Sequence, residues 1–118
     1  MSRRTDDRGA VTAEAALVLP LLVALTLGLV WVLTLATTQL RLVDAAREAA
    51  RAAARGDPPA AAVAAGQIAS PGATLTLTVA SDRVTVRAKQ HVSAPGGLFA
   101  SLVGVDLEAE AVSVVETR

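Results

Sequence analysis

From Ala15 to Leu40 the chain reads AALVLPLLVALTLGLVWVLTLATTQL, 26 residues without a single charge. Nineteen of them are apolar, and the interruptions are Pro20, Thr26, Gly28, Thr34, Thr37, Thr38 and Gln39. As a helix rising 1.5 Å per residue, such a stretch runs roughly 39 Å, enough for a hydrocarbon layer of about 30 Å. The apolar core of a cleavable secretory signal is only about 7–15 residues long, so the length predicts a retained transmembrane anchor. A soluble core is the competing explanation, but the remaining chain is too short to surround an apolar rod of this length.

Composition agrees with an anchor carrying a small domain. The chain has 118 residues, a formal net charge of zero and no cysteine, with 53% apolar residues, 2% aromatic residues and a mean hydropathy of +0.49. A disordered tail would be poorer in apolar residues and richer in net charge. Without cysteine there is no disulfide scaffold and no thiolate metal site. A nucleic-acid binder that works through phosphate contacts should be basic and should offer aromatics for stacking, and this chain does neither. Arginines stand on both sides of the span: Arg3, Arg4 and Arg8 before it, Arg41, Arg47, Arg51 and Arg55 after it. The charge rule for membrane orientation therefore favours neither direction.

The start of the span reads Arg8-Gly9-Ala10-Val11-Thr12-Ala13-Glu14-Ala15-Ala16-Leu17-Val18-Leu19-Pro20. Glu14 lies inside an apolar run that begins at Ala10, where an ionised side chain costs several kcal/mol unless it snorkels, is neutralised or is paired. Two readings stand side by side. Glu14 is either an interfacial residue favoured by the positive end of the helix dipole, or a group kept for pairing.

A short basic leader, a glycine, and a glutamate five residues later at the head of a long apolar helix resemble the processing site of type IV prepilins. The closer resemblance is to the TadE-like minor pilins of the tight-adherence (Tad) pilus. It is carried by Arg8–Pro20 and by Asp44–Gly56, DAAREAARAAARG. Two positions depart from the wider pattern: Ala10 stands where many pilins have Phe, and Ala15 follows the glutamate where Tad pilins often have an aromatic.

The resemblance implies a peptidase cut between Gly9 and Ala10, a cytoplasmic leader and an extracytoplasmic C-terminal domain. It implies that the Glu14 carboxylate pairs in lipid with the Ala10 α-amine of another subunit and so sets axial register, because an unpaired buried charge is strongly disfavoured. Pro20 is the expected site of a helix kink. The implied partners are the membrane, a prepilin peptidase, other pilin subunits and the pilus assembly platform, with no nucleic acid among them. The expected segments are a leader over 1–9, a transmembrane helix over 10–40 and an extracytoplasmic α+β domain over 41–118.

Beyond the span, Leu40 to Arg55 is rich in helix formers and continues the helix outward. Arg47, Arg51 and Arg55 fall on one face, with Asp44 and Glu48 three residues ahead of Arg47 and Arg51. This stripe reads as a solvated face or as a contact for neighbouring subunits or headgroups. On the other side Leu40, Val43, Ala46, Ala50 and Ala53 offer a small-residue surface for a sheet. Gly56-Asp57-Pro58-Pro59 should stop the helix, and Ala60 to Ala69 allows a second short one.

From Ala73 the period becomes two. Leu75, Leu77 and Val79 alternate with threonines, and Ala80-Ser81-Asp82-Arg83 reads as a turn. Val84, Val86 and Ala88 then alternate with Thr85, Arg87 and Lys89, so a hairpin is expected. Leu98 to Val103 suggests a helical turn that inserts Phe99 and Leu102 into the core. Asp106 to Thr117 is a third strand candidate, with Leu107, Ala109 and Ala111 on one face and a bulge or a strand end near Ala111 where the pattern shifts phase. The expected fold is α+β: a long N-terminal transmembrane helix extends into an amphipathic helix, packed by a small three-stranded antiparallel sheet.

Catalytic chemistry is missing from this pattern. His91 has no second histidine or cysteine to work with, so it reads as an ordinary strand residue. Gly96 and Gly97 mark a turn, with no phosphate-loop lysine after them. The chain reads as a non-enzymatic subunit without cofactor or metal: a minor pilin or pseudopilin-like component of a Tad-type pilus or related secretion apparatus. The alternatives are a signal-anchored envelope protein whose small domain binds a ligand or partner, and a domain secreted after cleavage beyond the span.

Overall fold

One helix, α1, spans Ser2–Ala54 in the computed structural model, which describes residues 2–95 and 103–115. Its apolar middle has the composition a membrane helix needs, since every backbone N–H and C=O inside lipid must be satisfied within the segment itself. Among the described residues, the stretch Arg8–Ala54 contains a window of mean hydropathy 2.6, none of it buried by the rest of the chain, long and apolar enough to cross a membrane. The chain divides into two units, one ending at Leu33 and one beginning at Thr34. The first consists of α1 alone. The second holds the rest of α1 together with everything that follows.

Helix α1 ends where glycine was expected to end it. Gly56 has φ +94°, in the left-handed region that favours glycine. Its N–H donates to the Ala53 carbonyl at 3.0 Å, and the Asp57 N–H donates to the Ala52 carbonyl at 3.1 Å. These are the two bonds of a Schellman cap, which satisfy carbonyls the helix end leaves without partners. Helix α2, Pro59–Ala69, starts one residue ahead of expectation because proline, lacking an N–H, suits the first helical position.

Three strands follow: β1 (Thr74–Ala80), β2 (Arg83–Ser93) and β3 (Gly104–Val114). They form an antiparallel sheet in the order β1-β2-β3. Ala80 faces Arg83 across the hairpin end, and the β2–β3 register runs unbroken from Ser93↔Gly104 to Arg83↔Val114. The fold is the α+β arrangement expected from the sequence, with an apolar N-terminal helix, a short helix and a three-stranded sheet.

The core of the second unit joins α1 to one face of the sheet. Leu42, Ala45, Ala46, Ala49 and Ala50 of α1 cluster with Ala73, with Leu75 of β1, with Val84, Val86 and Ala88 of β2, and with Ala109 of β3. Alternation along β2 is clean, with Val84, Val86, Ala88 and Val92 buried and Arg83, Arg87, Lys89 and His91 exposed. Leu42, Val84 and Val86 are the largest fully buried side chains, each contributing about 1.5–3 kcal/mol. The rest of the floor is mostly alanine. Gln39 anchors the sheet from the helix side, its Nε2 donating to the Glu108 carbonyl at 3.1 Å.

Three local expectations are corrected. There is no bulge at Ala111: the inward row Val105, Leu107, Ala109, Ala111, Ser113 keeps phase, and Val112 and Val114 face outward, 55% and 66% exposed. Valine is at home on a pleated surface whether or not it is covered, so the apolar pair did not mark an inward turn. The sheet-facing surface of α1 includes Val43, Ala46, Ala50 and Ala53 but not Leu40, which is 67% exposed. Leu42 takes the core position instead. Strand β3 begins at Gly104, ahead of the expected Asp106. Phe99 and Leu102 lie outside the described residues.

Candidate functional site

All four residues singled out at the head of the span lie on α1, and the helix runs through them without a break. Gly9 is exposed, and a Cβ built on it would meet nothing within 4 Å. Ala10 and Glu14 are exposed and stand at i and i+4, one above the other on one helix face. Among the described residues the Glu14 carboxylate has no hydrogen-bond or ion-pair partner, since the ion pairs all lie beyond the span. Pro20 lies inside the helix and supplies no N–H to the turn before it.

One contact at this end has no counterpart among the sequence expectations. The Thr12 hydroxyl donates to the Arg8 carbonyl at 2.9 Å, one turn back. The signal for it is simple: a threonine four residues after any helical carbonyl can bond it. Thr26 does the same with the Leu22 carbonyl at 2.8 Å, in the middle of the span.

The second unit offers a polar face rather than an active centre. On the outer surface of the sheet β2 carries basic and β3 acidic side chains in register. Arg87 Nε lies 3.2 Å from Glu110 Oε2 and 3.7 Å from Glu108 Oε1, with all three side chains roughly half exposed. His91 Nδ1 stands 2.6 Å from Asp106 Oδ1, a cross-strand pair that strand register alone would have revealed. Part of this face borders an open concavity of about 650 Å³, lined by His91, Asp106 and Glu108 together with Gly72, Lys89 and Gln90. The buried Ser70 hydroxyl donates to Gln90 Oε1 at 3.1 Å. No group of three or more metal-ligating side chains occurs among the described residues.

The arginine stripe of α1 is exposed. Arg51 lies 3.8 Å from Glu48, three residues earlier as expected, and Arg55 lies 3.6 Å from Asp57 past the helix end. Such pairs contribute little to stability, about 0–1 kcal/mol each.

The chemistry concentrates in the first unit: a free carboxylate on an apolar, uncovered helix, one turn past an exposed Gly-Ala bond. Residues 9–51 match the family described as TadE-like protein, a stretch that holds Gly9, Ala10, Glu14, Pro20, the whole apolar span and most of the charged extension. No curated protein and no solved structure shows significant similarity to the chain.

Proposed function

We propose that the chain, a TadE-like protein by its residues 9–51, is a membrane-anchored, pilin-like subunit of a Tad-type pilus or related secretion apparatus. The observation that carries this reading is Glu14, an unpartnered carboxylate at the head of an uncovered apolar helix within the TadE-like stretch. An ionised group in that setting is too costly to keep without a role or a partner. The partner is the Ala10 α-amine of another copy, freed when a prepilin peptidase cuts after Gly9. Hydrolysis adds one water across the Gly9–Ala10 amide and leaves a carboxyl on the leader and an amine on Ala10.

In this reading the N-terminus is cytoplasmic and the residues beyond Leu40 are extracytoplasmic. The helix packs with those of other pilin subunits, Pro20 supplies a kink, and an assembly platform in the membrane receives the processed chain. Its work is assembly rather than catalysis. Intact mass and N-terminal sequencing of the protein from its native membrane test this directly. A start at Ala10 supports processing. An intact Met1 or Ser2 supports a plain signal anchor, and a start between residues 37 and 45 supports a secreted domain.

A further inference from the structure

The proposed cut falls inside a regular helix, since α1 runs from Ser2 to Ala54 with Gly9 and Ala10 as ordinary helical residues. About four backbone hydrogen bonds of an α-helix cross any one of its peptide bonds. A helical peptide bond has its carbonyl bonded along the axis and its flanks covered by neighbouring turns, so a hydrolase reaches it only after local opening. Here a further bond crosses the same place. The Thr12 hydroxyl, on the far side of the cut, holds the Arg8 carbonyl, on the leader side, at 2.9 Å. Among the described residues nothing lies within 4 Å of a Cβ built on Gly9, and Ala10 is exposed.

We infer that the Thr12–Arg8 bond staples the scissile turn shut and slows leader removal, which makes Thr12 a positioning residue that regulates processing. The inference rests on the reading that the chain is cut after Gly9. Extending residues 8 to 11 for hydrolysis breaks the staple, because the two atoms stay within bonding distance only while the turn is helical. Once the Gly9–Ala10 amide is hydrolysed, the Arg8 carbonyl departs with the leader and the staple cannot re-form. The mature chain is left with a hydroxyl in its first turn that its precursor kept occupied.

The test uses the full-length chain in membranes that contain its prepilin peptidase, with the Ala10-started product followed by mass. Thr12→Val removes the hydroxyl but keeps a β-branched side chain of similar helix propensity. It is cut about 2- to 10-fold faster, the range that loss of a single neutral hydrogen bond allows. Thr12→Ser, which keeps the hydroxyl, is cut at the wild-type rate. Thr26→Val, which removes the equivalent bond to Leu22 far from the cut, also leaves the rate unchanged. In micelles without peptidase, amide exchange at positions 11 and 12 rises in Thr12→Val by a factor similar to the rate.

A Thr12→Val rate at or below wild type, or a Thr12→Ser rate equal to that of Thr12→Val, overturns the inference while the wild-type cut after Gly9 still stands. A wild-type chain that retains its leader overturns the processing reading and this inference with it.

Discussion

Gly66→Ala tests how closely α2 is seated on α1. A Cβ built on Gly66 would lie 2.8 Å from the Ala45 carbonyl oxygen, 3.2 Å from Ala49 Cβ and 2.5 Å from Leu75 Cδ1. The leucine methyl can swing aside, but the carbonyl belongs to a hydrogen-bonded helix and moves only if α2 lifts. Overpacking of this kind costs about 1–3 kcal/mol. Against it stands the gain from replacing glycine in a helix interior, about 1 kcal/mol. With a backbone carbonyl at 2.8 Å the overpacking falls in the upper part of that range, about 2–3 kcal/mol, so the net loss is about 1–2 kcal/mol, which for a unit of this size lowers Tm by roughly 4–15 °C. The assay is thermal unfolding of the full-length protein in micelles, followed through the NMR amide signals of β2, which report the sheet rather than the long helix. Gly28→Ala serves as the control, because a Cβ there meets nothing within 4 Å. A Gly66→Ala protein as stable as wild type would refute the close seating and the small-residue contact on which the core description depends.

Two other substitutions bear on different parts of the molecule. Glu14→Ala should abolish incorporation of the subunit into pili, measured as its loss from sheared surface fractions while the membrane pool persists; normal incorporation would sink the register role. Arg87→Ala should lower stability by less than about 1 kcal/mol, because both of its carboxylate partners are half exposed and screened by water. A Tm drop beyond about 8 °C would mean that Arg87 contributes more than a water-screened surface bridge can.

The anchor, the helix extension, the stop at Gly56 and the β1–β2 hairpin were legible because each rests on a local signal: an uncharged run, a residue able to take positive φ, a period of two. Local patterns mislead where a tertiary fact overrides them. Val112 and Val114 looked like a phase shift because valine signals burial in sequence, yet which strand face is covered depends on where α1 lies. Leu40 fits the same helical period yet is exposed, because the sheet meets α1 on the side of Gln39 and Leu42. The candidate site was legible as residue types in order, with Glu14 and the Gly9–Ala10 bond both visible. The Thr12–Arg8 bond was not, since every helical threonine has a carbonyl four residues back and the pattern singles out none of them. The His91–Asp106 pair needed a register that two separate strands acquire only by folding.

The bond from Gln39 to the Glu108 carbonyl has a consequence for how copies of this chain coexist. Strand β3 is an outer strand, and the bonds of Val103 and Val115 toward the β2 side mark its odd-numbered residues as the paired ones. The even-numbered residues turn their backbone groups to the open edge, where another strand would add. Gln39 already occupies one of those carbonyls, and the same residues carry the carboxylates of Asp106, Glu108 and Glu110. Two such edges brought together would set acid against acid along their length. The β3 edge is thereby guarded against its own counterpart, so two copies of the head do not pair sheet to sheet through this strand.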